Sequence, residues 1–259
     1  MSSSCSHSHG HHHHHGGAEP SAVSLNKEYF NKEAAEYDKK HAKTHEQLME
    51  ELRARLGFIG VEWVGEDSTE DPKKRSVRLL DYACGTGFVS RALSPYTTEC
   101  VGIDLSENMV ARYNHQAESQ GSSSKMRAYQ GNLCDSQDED PETFKSADFF
   151  GFDLAVVGLG FHHFDDPNLA ARRLAARLKP GGVLVILDFL PHAKPDASHP
   201  ATSTVTHHGF SEEQIRGVFE QAGVGKDFAL DELKTDIRFP KPDGSEMSRT
   251  VFIARGTKA

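Results

Sequence analysis

The stretch LLDYACGTGFVSRAL, residues 79–93, decides how this chain is read. It opens as an apolar run of strand character, passes an acid and two glycines, and continues as an amphipathic segment. A strand that turns into a helix leaves the helix's first N–H groups unpaired and open to a ligand. Gly85 and Gly87 carry no Cβ, so a ligand can approach the backbone closely there. Such a turn can hold a dinucleotide, another nucleoside-bearing cofactor, or nothing, if it is only a tight connection. The dinucleotide fingerprint is G-x-G-x-x-G, and here Ser90 stands in place of its third glycine.

The acids around the turn narrow the choice. At Asp81 a carboxylate suits a cationic group, such as the amino group of a methionine moiety, and repels a pyrophosphate. Asp104 ends the next apolar run, where a carboxylate can accept both hydroxyls of a ribose. Ser106 is available as the helix cap instead. Asp104 alone suits NAD and S-adenosylmethionine equally. Asn132, in YQGNL, either bonds an adenine edge or is a turn asparagine.

Outward from the turn, short apolar runs alternate with amphipathic segments. That pattern predicts a doubly wound α/β fold with helices on both faces of a mostly parallel sheet. Strands are expected over 77–83, 99–104, 125–130, 152–157 and 183–189, with two more near 228–237 and 249–254. Residues 239–248 show no helical pattern, so a hairpin loop should join the last two strands and make the final one antiparallel. The whole is a seven-stranded Rossmann-like sheet ending in an antiparallel hairpin. Ser211 with Gln214 reads as a capping box, Gly223 as a helix-ending glycine, and Pro167 behind Asp166 as a first helical residue. Ahead of the sheet, Phe30, Ala34 and Tyr37, then Leu48, Leu52 and Leu56, predict two helical segments.

Composition sets the outer limits. A formal charge of −9 over 259 residues argues against a broad nucleic-acid footprint. The longest strongly apolar run, 183–187, is far too short to span a bilayer. The 4 cysteines form no CxxC pair and no zinc-like spacing, which suits a reducing compartment. A cytoplasmic protein without membrane or nucleic-acid partners is expected. His7, His9 and His11 to His15 lie in a Ser/Gly-rich tail, native or a tag, that cannot bury a core. No metal site is expected.

Five stretches stand in a telling order: LLDYACGTGFVSRAL, VGIDLSENMV, YQGNLCD, FDLAVVGLGFHHFDDP and LKPGGVLVILDF. With them the chain resembles the class I S-adenosylmethionine-dependent methyltransferases, and within these the small-molecule group that includes the ubiquinone and menaquinone enzymes. The resemblance covers residue 26 to the C-terminus. It implies that Asp81, Gly85 and Gly87 cradle the methionine end of S-adenosylmethionine and that Asp104 binds the ribose hydroxyls. It further implies that Leu105 or Met109 packs on the adenine, with Asn132 and Leu133 at its edge. Ala83 stands where the family often has glycine, and Asn132 where it often has Asp. YFNKEAAEYD, residues 29–38, resembles the helix that lids the cofactor in these enzymes. The expected organisation is a tail over 1–24, a helical lid segment over 25–64 and a cofactor-binding domain over 76–259.

The implied reaction transfers a methyl group to O, N, S or C of a small molecule. A proton acceptor is needed only if the acceptor loses a proton on attack. His162, His163, Asp188, His192, His207 and His208 all fall at the rim of the sheet. One of the FHHF histidines should tie its loop to backbone, and His163 is the first candidate for the proton acceptor. The alternatives are a non-catalytic methyltransferase-like subunit of a complex and a nicotinamide-dependent oxidoreductase. The missing third glycine, Asp81 and the terminal hairpin weigh against the oxidoreductase.

Overall fold

The structure is a computed structural model that describes residues 21–65, 75–193, 203–233, 237–241 and 243–259. The histidine tract lies outside the described residues. The central sheet contains β1 (Arg78–Tyr82), β2 (Glu99–Asp104), β3 (Met126–Gln130), β4 (Phe152–Gly158), β5 (Leu178–Phe189), β6 (Lys226–Glu232) and β9 (Val251–Thr257). Their order is β3-β2-β1-β4-β5-β9-β6. The first five run parallel, while β9 lies antiparallel between β5 and β6. The expected seven strands and antiparallel final strand are all present.

Strand alternation explains the layers. Along β4, Leu154 and Val156 face one core and Ala155 and Val157 the other; in β5, Val183, Val185 and Leu187 alternate with Leu184 and Ile186. On one face pack α3 (Phe88–Leu93) and α4 (Glu107–Ser119), on the other α5 (Pro167–Arg177) and α6 (Glu212–Gln221). The punctuation read from sequence holds. Ser211 and Gln214 form a capping box, Gly223 takes φ +73°, and Asp166 caps α5 with Pro167 in its first turn.

Two expectations need correction. The two N-terminal helical segments are one continuous helix, α1 (Ala22–Ala54), followed by a single turn, α2 (Leu56–Ile59). No Gly or Pro lies between residues 22 and 54 to break it, so the drift of its apolar positions marks a change of partner. Upstream it covers the sheet's rim, and downstream Leu48 and Leu52 enter the core. The second correction concerns residues 237–249. The expected hairpin loop is itself a two-stranded ribbon, β7 (Ile237–Pro240) paired antiparallel with β8 (Glu246–Arg249). This ribbon packs on α1.

The sheet's order reverses between β1 and β4, whose connections leave in opposite directions, and a crevice opens at their C-terminal ends. Here α1 and the ribbon roof the crevice into a cavity of about 1100 Å³.

Candidate functional site

The glycine turn forms one wall. Gly85 adopts φ +51°, and a Cβ there would meet no protein atom within 4 Å, so its missing side chain leaves open space. Gly87, at φ +90°, has a different reason to be glycine: a Cβ would fall 2.5 Å from the Tyr113 ring. It does not line the cavity. Ala83 takes φ 54°, a left-handed backbone that only glycine adopts without strain.

Asp81 also departs from expectation. It is 1% exposed and points away from the cavity, its Oδ2 accepting from the Ser90 N–H at 3.1 Å and the Ser90 hydroxyl at 2.7 Å. It therefore ties the end of β1 to α3 rather than facing a cation. Burial lifts its carboxyl to about 7, against the pull of the Ser90 bonds.

Asp104 stands half-buried where β2 meets the cavity. Its Oδ2 accepts from Gly85 N–H at 2.8 Å and its Oδ1 from Ser106 N–H at 2.8 Å. Burial raises its carboxyl while these N–H donors oppose the rise. Ser106 caps α4 by accepting from Met109 N–H, as its sequence predicts. Leu105 and Met109 line the cavity beside Asp104, and so does Asn132, whereas Leu133 is 1% exposed in the core. The Asn132 Oδ1 accepts from the Tyr82 hydroxyl at 3.1 Å and from Cys134 N–H at 2.8 Å. With its oxygen engaged, Asn132 offers a ligand its amide donors.

The histidine pair is held from two directions. His162 N–H and Nδ1 both donate to the fully buried Asp188, at 3.1 and 2.8 Å. Its Nε2 has no hydrogen-bond partner among the described residues, and the ring borders the cavity. His163 Nδ1 donates to the Thr204 carbonyl at 2.6 Å. Burial, then the neighbouring His162, lowers His163 to about 3. It is His163 that ties its loop to backbone, and its basicity is weak. His207 donates through Nε2 to the Phe164 carbonyl at 3.0 Å.

Sequence reasoning missed what α1 contributes beyond Tyr37. Tyr37, His41 and His45 follow at helical spacing along one face, and His45 stacks on Phe88 at 5.1 Å. That spacing was the available signal. Burial lowers His45 to about 3. Asp38 accepts from the Thr86 hydroxyl at 2.5 Å and from the Gln116 amide, and Asn31 accepts from the Ser106 hydroxyl at 2.6 Å. These bonds fasten α1 directly to the glycine turn and to the cap of α4.

Among the described residues the cysteines offer no nucleophile: burial raises Cys84 and pushes Cys100 and Cys134 up to about 12. Among the described residues no His, Cys, Asp or Glu group is arranged to hold a metal, and no helix is long and apolar enough to cross a membrane.

A family defined by a methyltransferase domain matches residues 38–225. An uncharacterised methyltransferase of Schizosaccharomyces pombe is 28% identical over 198 residues, 72% of this chain and 68% of that protein. The demethylmenaquinone methyltransferase of Staphylococcus carnosus is 29% identical over 119 residues, and the match takes in 44% of each chain. The chain thus spans under half of that relative. Among solved structures, phosphoethanolamine N-methyltransferase 2 of Haemonchus contortus in complex with S-adenosyl-L-methionine has a TM-score of 0.56 at 16% identity, over 81% of this chain and 52% of that one.

Proposed function

The chain belongs to the methyltransferase-domain family, whose methyl donor is S-adenosylmethionine, and we propose that it methylates a small molecule bound in the cavity beside the glycine turn. The donor set fits that cofactor. Gly85 leaves open space at the turn, Asp104 keeps lone pairs for a diol, and Leu105 and Met109 present an apolar face to a base. In this reading Asn132 donates to a base nitrogen. Asp81 and Gly87 act through the turn they shape, and Leu133 through the core beneath it.

The cofactor supplies an electrophilic methyl on a sulfonium, taken by a nucleophile in an in-line displacement. The chain's task is to align the acceptor and keep water out. α1 carries out the exclusion, held down through Asn31 and Asp38. Where the acceptor loses a proton, His162 Nε2 accepts it. Asp188 acts as the positioning residue that fixes the tautomer by accepting from Nδ1. His163, held near 3, is assigned to binding the acceptor rather than to taking its proton.

The observation that carries this reading is Asp104, held at the cavity by Gly85 and Ser106 N–H groups with lone pairs to spare. The test is calorimetric titration with S-adenosylmethionine, S-adenosylhomocysteine and NADH, on the wild type and Asp104→Ala. Binding of both adenosyl ligands, lost in the variant, supports it. Binding of NADH alone refutes it, and no binding of any ligand favours a non-catalytic subunit.

A further inference from the structure

The cavity of about 1100 Å³ exceeds the roughly 300–1,000 Å³ of a cleft for one small ligand. Beyond the glycine turn, part of this cavity's wall is the β7–β8 ribbon with the end of β5. Residues opposite each other on an antiparallel pair share a face. The pairs Ile237 with Arg249 and Phe239 with Met247 thus form one face. Ile237 is fully buried, and Phe239, Met247 and Arg249 line the cavity. The other face carries Arg238 and Glu246, which pair with each other at 3.3 Å, and Glu246 also reaches Lys43 at 3.7 Å.

The ribbon therefore pairs its outward cation and leaves its inward one bare. Arg249 is half-buried beside Phe239 and Met247, and its side chain makes no ion pair or hydrogen bond among the described residues. Placing a guanidinium on an apolar face costs solvation, which a bound anion recovers. Among the described residues the ribbon and the β5 end bring Phe189, His192, Phe239, Met247, Arg249 and the rim cation Lys241 to this wall, and no carboxylate. The Phe189 ring meets those of Phe239 and His192 at 5.2 and 5.6 Å. Burial, with Arg249 contributing, lowers the His192 pKa.

We infer that the methyl acceptor is a ring-bearing, largely apolar molecule with one anionic group, a carboxylate or a phosphate monoester, which Arg249 holds while the ring packs against Phe189, Phe239 and Met247. This inference rests on the methyltransferase reading of the same cavity. Arg rather than Lys suits the task because its planar fork meets two oxygens at once.

The probes are cinnamate, its uncharged isostere cinnamamide, and phenyl phosphate. Each is titrated into protein saturated with S-adenosylhomocysteine, on the wild type, Arg249→Gln and Arg249→Lys. The wild type should bind at least one anion about tenfold or more tightly than cinnamamide. Arg249→Gln should lose that preference and Arg249→Lys keep part of it, with the affinity for S-adenosylhomocysteine equal in all three. Whichever anion binds more tightly separates carboxylate from phosphate. Binding of both anions no tighter than that of cinnamamide, no binding of either anion, or an anion preference surviving in Arg249→Gln overturns the inference and leaves the cofactor reading standing. Failure of S-adenosylhomocysteine to bind the wild type removes both.

Discussion

At the scale of the residue, the glycine turn mixes positions required by packing with positions that leave room for a ligand. Gly87→Ala would drive a Cβ to 2.5 Å from the Tyr113 ring and add a left-handed strain at φ +90°. We expect it to destabilise the fold by about 2–4 kcal/mol, read by urea unfolding. Ala83→Gly should act in reverse. It relieves an alanine at φ 54° and should stabilise by about 1 kcal/mol, raising the unfolding midpoint. The glycines at 85 and 87 were legible as residues but not as reasons. Only the position of Tyr113 shows that Gly87 serves packing. Likewise the charge of Asp81 was legible, but the Ser90 partner that turns it inward was not.

At the scale of the element, α1 is the part that sequence periodicity described least well. Its spacing shows helix, yet one helix serves two partners, core at one end and cavity at the other, so the pattern reads as two. The bonds from Asp38 and Asn31 hold its cavity half against α4 and the turn. Asp38→Ala leaves the Thr86 hydroxyl and Gln116 amide without their acceptor, a loss of about 1–3 kcal/mol. Faster hydrogen exchange along α1 and an S-adenosylhomocysteine affinity lowered about tenfold are expected. Unchanged exchange would show that α1 is held by its Leu48 and Leu52 anchor alone. The β7–β8 ribbon escaped notice because each strand is 4 residues long and its polar residues break the apolar runs by which a strand is recognised. Its meaning lies in which face turns inward, and that depends on the pairing register.

At the scale of the whole molecule, buried ionisable groups set an opposed pH dependence in the ligand-free protein. Asp81 has its ordinary value of 3.8 unfolded and about 7 folded. The folded state therefore holds the extra proton between those values, and this contribution to stability is lost as pH rises through them. His45 and His163 have 6.5 unfolded and about 3 folded. Their contribution is full above 6.5 and is lost as pH falls toward 3. Where the windows overlap, between 3.8 and 6.5, two histidine protons favour the unfolded state against one aspartate proton favouring the folded state. These three groups together make stability fall on acidification by about 1.4 kcal/mol per pH unit. His45→Gln should remove one histidine's share and flatten that limb, measured by urea unfolding across the window. An unaltered slope would show that His45 is not buried neutral.

The chain by itself determined the doubly wound sheet, its antiparallel final strand and the helix caps, and its resemblance to a known family implied the cofactor class. The first three rest on local rules: strand alternation, capping geometry and glycine backbone freedom. Tertiary structure alone decided which acid faces the cavity, which histidine is backed by a carboxylate, and how the cavity is roofed. Asp104 and Asp81 are similar acids at similar strand ends, and their roles part only because Ser90 lies within reach of one. His162 and His163 are neighbours in sequence, and they part because Asp188 and Thr204 come from distant segments. Arg249 is an ordinary arginine in a polar stretch until β7 and β8 pair and turn it inward beside Phe239 and Met247. Those distinctions depend on contacts made across the fold, and local sequence carries no record of them.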